Sequence, residues 1–167
     1  MDDGDLTKLK DMRGYNEDFC KWTIYSVGMG LRALHEKHIL HRDIKAENIL
    51  HRSNGEIKLA DLGLSVFLTE QEALRASIKG STAFLSPEIA QGIFYGKEVD
   101  IWAFGCFAYE LAMGKVPFSG SGEAGLIDAI LDKNRPAPPL GDEWSQDFRD
   151  LVSRCLDKNR DTRITIE

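Results

Sequence analysis

The sequence predicts a mainly helical α+β domain carrying one small β-hairpin. Three observations lead there. Apolar residues recur at helical spacing over several separate stretches. An Asn-Gly pair stands between two short apolar pieces, the pattern of a hairpin. Residues 61–85 show no sustained period and read as a long loop, a kind of segment that usually carries function.

The first helix is expected over residues 16–38. There Cys20, Ile24, Val27, Leu31 and Leu34 fall at three- and four-residue steps, and Asn16 with Glu17 and Asp18 supplies a cap and an acidic first turn. Next come Ile49-Leu50-His51 and Ile57-Lys58-Leu59-Ala60, flanking Ser53-Asn54-Gly55. After the long loop, residues 99–113 are apolar on nearly every side of a helix, with Gly114 as a stop and Pro117 just beyond. Such a helix must be buried on most sides, so it is expected to form the central post of the domain. A turn rich in proline (Pro136, Pro138, Pro139) then separates a helix near residues 123–133 from a last helix near 145–156.

The 167 residues suit one domain, with 43% hydrophobic and 29% charged residues, which speaks against a wholly disordered chain. A net charge of −6 argues against a protein built to bind nucleic acid and leaves room for basic peptide partners. Cys20, Cys106 and Cys155 are scattered, with no metal-ligand spacing, and read as reduced thiols. The acidic start lacks the character of a signal peptide. The run 101–114 is interrupted by Glu110 and is too short to span a bilayer. No membrane association and an intracellular, cytoplasmic location are the expectation.

The chemistry sits between the first helix and the long loop. His41-Arg42-Asp43-Ile44-Lys45-Ala46-Glu47-Asn48 precedes the hairpin, Asp61-Leu62-Gly63 follows it, and Ser86-Pro87-Glu88 closes the loop. Asp100-Ile101-Trp102-Ala103-Phe104-Gly105 and Arg163 come later, in that order. Taken alone, Asp43 and Asn48 would read as a capped turn. Together these motifs resemble the helical C-terminal lobe of a eukaryotic protein kinase, and the resemblance runs through essentially the whole chain, from Asp3-Gly4-Asp5-Leu6 onward. The first motif matches the family's H-R-D-x-K-x-x-N catalytic loop; the second stands at D-F-G and the third at A-P-E. Ile44-Lys45-Ala46 and Ser86-Pro87-Glu88 lean toward STE- or NEK-like groups.

The resemblance implies ATP and Mg²⁺ as cofactors and a protein or peptide substrate. Asp43 would accept or orient the substrate hydroxyl, and Lys45 would bring a cation to the transferred phosphoryl group. Asn48 and Asp61 offer hard oxygen ligands for Mg²⁺. Leu50 matches the residue beneath adenine, with an ordinary strand leucine as the alternative. Lys45 and Ser81 mark serine/threonine rather than tyrosine kinases. Leu62, where phenylalanine is usual, keeps an apolar side chain able to pack on His41.

Asp100 is either a first-turn acid favoured by the helix dipole or, by resemblance, an acceptor for the backbone around His41 and Arg42. Glu88 and Arg163 would form a buried ion pair. Arg42 is where the family places an arginine that reads a phosphate on the activation loop. Ser77, near Arg75 and Lys79, is the candidate phosphosite, with a solvated loop serine as the alternative. Glu47 and Glu110 stand where basophilic kinases hold an acidic pair, although a solvated acidic face fits them as well.

The resemblance covers residues 1–167 as a C-terminal lobe cut at both ends, with the catalytic loop at 41–48 and the activation segment at 61–88. No Gly-x-Gly-x-x-Gly followed by strands and no strand lysine with its helix glutamate appear in the sequence. Gly120-Ser121-Gly122 lies in the wrong context. Phosphoryl transfer depends heavily on positioning, so this chain alone is expected to be inactive. Two functions follow: the lobe of an ATP-dependent serine/threonine kinase, or a non-catalytic lobe serving as a protein-binding or scaffold module.

Overall fold

The computed structural model describes residues 4–9, 16–68 and 82–166. Its elements run in the order β1 (Gly4–Asp5), α1 (Glu17–Glu36), β2 (Ile39–Leu40), β3 (Ile49–His51), β4 (Ile57–Leu59), β5 (Val66–Phe67), α2 (Pro87–Ala90), α3 (Glu98–Met113), α4 (Gly122–Leu131) and α5 (Gln146–Cys155). Short 3₁₀ turns lie at Leu6–Leu9, Ala46–Asn48 and Thr82–Phe84.

Local chemistry sets the helix ends. Asn16 accepts a hydrogen bond from the Phe19 N–H at 2.9 Å, the Ser86 and Ser145 hydroxyls cap α2 and α5 in the same way, and Pro87 occupies the first turn of α2. At the other end of α3, Gly114 takes the left-handed conformation (φ 67°) that a side chain would disfavour.

Helix α3 is the central post. From Val99 to Tyr109 every residue is buried, and α1 and α5 pack against it. Trp102 stacks on Phe118 at 5.5 Å between ring centroids. Gly105 marks a close helix crossing: a Cβ there would lie 2.6 Å from Cys155 Cβ. The first turns of α1 and α5 are joined as well, since Glu17 accepts the Ser145 N–H at 3.1 Å.

The β-structure is slight but places the site. Strands β3 and β4 form the antiparallel hairpin, Ile49 opposite Leu59 and His51 opposite Ile57, and β1 adds to the free side of β3. The connection runs from Arg52 to Glu56 and places only Gly55 at positive φ, so it is longer than a two-residue Asn-Gly turn. Within the loop expected to be irregular, Val66 and Phe67 form β5, which pairs antiparallel with β2. Two residues are too few for a period, and the pairing comes instead from a distant strand. Among the described residues, no helix is long and apolar enough to cross a membrane.

Candidate active site

Everything in the site hangs from α3. Asp100, fully buried in its first turn, accepts the backbone N–H of His41 through Oδ2 and that of Arg42 through Oδ1, each at 2.8 Å. A third donor, His35 Nε2 from the end of α1, reaches Oδ2 at 2.9 Å. These bonds hold a turn in which Arg42 adopts φ 66°, an unusual conformation for a residue with a side chain. The Arg42 guanidinium in turn donates to the Leu64 carbonyl at 2.7 Å and to the Tyr95 hydroxyl at 3.4 Å.

His41 is fully buried and bridges the two loops that matter. Its Nδ1 accepts the Asp43 N–H at 3.3 Å, which leaves Nε2 to donate to the Ala60 carbonyl at 3.0 Å. Since Ala60 precedes Asp61, this bond ties residues 41–43 to the Asp61 turn. A second tie is the Ala60 N–H donating to the Asn48 carbonyl at 2.8 Å.

Asp43 carries the most concentrated chemistry. Its Oδ2 meets Lys45 Nζ at 2.8 Å and accepts from Asn48 Nδ2 at 2.9 Å, while its carbonyl accepts from the same Asn48 nitrogen at 2.7 Å. The carboxylate is about nine-tenths buried and the lysine a quarter exposed, so a fixed anion and a fixed cation share one corner of the loop. With both Asn48 amide hydrogens committed to Asp43, the amide oxygen is the coordinating atom left to that side chain.

Asp61 is exposed and sits at φ 64°; its Oδ1 accepts the Gly63 N–H at 3.0 Å. An exposed carboxylate and an amide oxygen, on segments tied together by backbone hydrogen bonds, make a donor set of the hard type that suits Mg²⁺. Among the described residues no group of three or more His, Cys, Asp and Glu side chains gathers as an all-protein metal cage.

Leu50 on β3 is exposed, as is Leu62, which stands more than half open beside Asp61. Glu47 is exposed and Glu110 half-buried. Away from the loop, Glu88 of α2 and Arg163 form a buried ion pair at 2.6 Å. Ser77 and Ser81, with Arg75 and Lys79, lie outside the described residues. Two partners escaped the sequence reading: His35 and Tyr95. The helical period through Cys20, Ile24, Val27 and Leu31 also reaches position 35, so a histidine on the buried stripe was the available signal.

Comparison with known proteins points to one family. The profile of the protein kinase domain matches residues 1–167. The chain is 36% identical over 165 residues to an Aurora kinase of Eremothecium gossypii, covering 98% of this chain and 44% of that protein. It is 35% identical over 165 residues to serine/threonine-protein kinase 4 homolog A of Dictyostelium discoideum, covering 98% of this chain and 36% of that one. With mitogen-activated protein kinase kinase 2 of Arabidopsis thaliana the identity is 33% over 172 residues, covering 98% and 47%. The chain thus spans less than half the length of these relatives. A match along the whole sequence, to a domain and to relatives of one kind, places the chain in the eukaryotic serine/threonine protein kinase family.

Proposed function

We propose that residues 1–167 are the C-terminal lobe of a protein serine/threonine kinase, and that the lobe transfers the γ-phosphoryl group of ATP to serine or threonine hydroxyls once a second lobe covers the nucleotide. The observation that carries this reading is the Asp43 carboxylate, held between Lys45 and Asn48 at 2.8 and 2.9 Å. In-line transfer needs an acceptor to orient the substrate hydroxyl and a cation for the charge on the moving group. Asp43 does the first and Lys45 the second. Asn48 and Asp61 would hold Mg²⁺, which would supply neutralisation of the negative charge on the phosphate groups.

Leu50, exposed on β3, offers an apolar surface to the underside of adenine. Arg42 keeps the loop in register through Leu64 and Tyr95, and a phosphate on Ser77 is the proposed switch that would engage it. Glu47 and Glu110 support a preference for basic residues before the acceptor. The need for a covering lobe is chemical. The described residues offer Lys45 as the only lysine paired with the Asp43 carboxylate, and no glycine-rich loop followed by strands is present to cradle phosphates.

The test is phosphate transfer to a serine/threonine peptide array, with the coding region upstream of residue 1 included in one protein and omitted in the other. The longer protein is expected to transfer phosphate in a Mg²⁺-dependent way and to favour basic peptides, and the shorter to show neither transfer nor ATP binding. A longer protein that binds no ATP·Mg²⁺ would leave the scaffold function instead.

A further inference from the structure

A cavity of about 580 Å³ has no lining residue in the 41–48 loop or the Asp61 turn, and its size is that of a ligand pocket. Three segments far apart in sequence meet there. They are α2 with Gln91 and Ile93 just past its end, Lys133 beyond α4, and residues 157–161 beyond α5. Ile93 brings an exposed apolar side chain to the wall, and Phe94, next in sequence, is exposed as well.

Acids and cations are used differently around this cavity. Glu88 gives both carboxylate oxygens to Arg163. Asp157 accepts the Asn159 N–H at 2.9 Å and the Thr162 hydroxyl at 2.7 Å. Asp132, beside Lys133, accepts the Asn134 N–H at 2.9 Å, and Asp161 lies 3.7 Å from the Arg160 guanidinium. These acceptors turn to partners within the chain. Among the described residues, by contrast, the exposed Lys133 ammonium and the Gln91 amide have no hydrogen bond or ion pair. Asn159 spends its amide oxygen on the Asp161 N–H at 3.1 Å, which leaves Nδ2. Arg160 donates Nη1 to the Phe94 carbonyl at 2.6 Å and keeps Nη2.

Lys158 adds a fixed charge to the wall, its Nζ 2.8 Å from the carbonyls of Ala129 and Asp132. Burial lowers its pKa; Asp132 opposes that fall and Arg135 adds to it. The hydrogen-bonding capacity left over is therefore mostly donor, with Lys133, Lys158 and Arg160 around it. That is a local excess of cationic donors on a chain of net charge −6.

We infer that this cavity is a docking site for an acidic segment of a protein substrate: its carboxylates meet Lys133, Arg160 and the Gln91 and Asn159 amides, and an apolar neighbour lies against Ile93. This rests on the reading of the chain as a lobe that phosphorylates proteins, and it adds a second contact to that reading. Glu47 and Glu110 are proposed to read basic residues before the acceptor. A substrate held at both places is basic near its hydroxyl and acidic farther along, and like-charge repulsion rejects the reversed orientation. Contacts remote from the reacting atoms are made equally before and during transfer, so docking lowers KM and leaves kcat alone.

The experiment uses the full-length kinase and a fluorescein-labelled peptide of alternating glutamate and leucine, with a glutamine–leucine peptide as the neutral control. Anisotropy is expected to show the acidic peptide bound about tenfold more tightly, with the difference shrinking as salt rises. Lys133→Glu should weaken acidic-peptide binding by about tenfold and Ile93→Ser by about threefold. The glutamate–leucine segment is then joined by a flexible linker to a basic serine peptide. Its KM should fall about tenfold below that of the glutamine version at equal kcat, and Lys133→Glu should erase the difference.

Equal binding of the two peptides overturns the inference, as does acidic-peptide binding that Lys133→Glu leaves untouched. Lys133 is exposed and unpaired among the described residues, so this variant is expected to fold. Inorganic phosphate that displaces the peptide with equal affinity also overturns it, making the cavity a site for a small anion. If the full-length kinase phosphorylates no peptide, the functional reading fails. Anisotropy needs no transfer and still decides whether the acidic segment docks.

Discussion

Arg163 meets Glu88 through two hydrogen bonds, Nη1 to Oε1 at 2.6 Å and Nη2 to Oε2 at 3.1 Å, across 75 residues of sequence. Both side chains are essentially sealed from water. The same guanidinium donates to the carbonyls of Glu98 and Asp157, each at 2.8 Å, and lies over the Trp102 ring at 5.1 Å. One side chain therefore fastens α2, the start of α3 and the segment after α5.

Removing one partner strands the other as a buried charge. Arg163→Met is expected to destabilise the domain by about 3–5 kcal/mol, and Glu88→Gln by less because it keeps one acceptor. Arg163→Lys should not rescue it, since an ammonium cannot make the paired contacts. Denaturant unfolding checks this; an Arg163→Met midpoint equal to wild type would show that the pair contributes nothing.

Asp43→Asn keeps the shape of the side chain and, with it, the contact to Asn48, but removes the charge that holds Lys45. In the full-length kinase, kcat is expected to fall by about 10²–10⁴-fold while ATP binding persists, as for loss of a group that orients or accepts a proton. Lys45→Met should also lower kcat, and the double variant should lose less than the sum of the two effects, because the groups act as a pair. Single-turnover kinetics with a serine peptide distinguishes this from a binding defect. Full additivity of the two losses would mean that the 2.8 Å contact has no part in transfer.

Helices α1 and α3 were legible because each has a signal that needs no tertiary information: the stripe of α1 with its Asn16 cap, and the apolar surround of α3. The His41–Asn48 motif was legible as an ordered set of residue types. What escaped depends on contacts across the chain. Strand β5 exists because Val66 and Phe67 find β2, and β1 because Asp5 finds Leu50. His35 escaped for a related reason. Leu34 stood beside it on the helix, and a hydrophobicity count favours the leucine, yet Leu34 is only half-buried while Asp100 draws His35 inside.

The buried thiols carry a pH dependence. Burial pushes Cys20 and Cys155 up to about 12 from an ordinary value of 9.0, and Cys106 higher still. Once unfolded, each ionises near its ordinary value, so above it the unfolded chain binds fewer protons than the folded one. The thiols' stabilising contribution is therefore complete below about pH 9 and is lost as pH rises toward 12. Unfolding midpoints at pH 8, 10 and 11 should fall in that order. Native thiols should also react slowly with an aromatic disulfide reagent at pH 8, and all three should titrate together in denaturant. Rapid labelling of the folded protein would contradict their burial.

Gly105 admits α5 against α3, and the obstacle to any larger residue there is specific. An added Cβ would lie 2.6 Å from Cys155 Cβ and 3.0 Å from Leu156 Cδ2. Alanine favours a helix over glycine by about 1 kcal/mol, so propensity alone would make Gly105→Ala stabilising. The overlap works the other way, at about 1–3 kcal/mol, because the facing Cβ is fixed to the backbone of α5 and cannot rotate aside. A net loss is expected, seen as a Tm lower by a few degrees at about 2–4 °C per kcal/mol. Cys155→Ala should not relieve it, since alanine keeps the offending Cβ, whereas Leu156→Ala should relieve only the weaker contact. A Gly105→Ala protein that melts at or above the wild-type temperature would show that α5 shifts outward at no cost. In that case the crossing with α3 is not held as closely as the 2.6 Å approach requires.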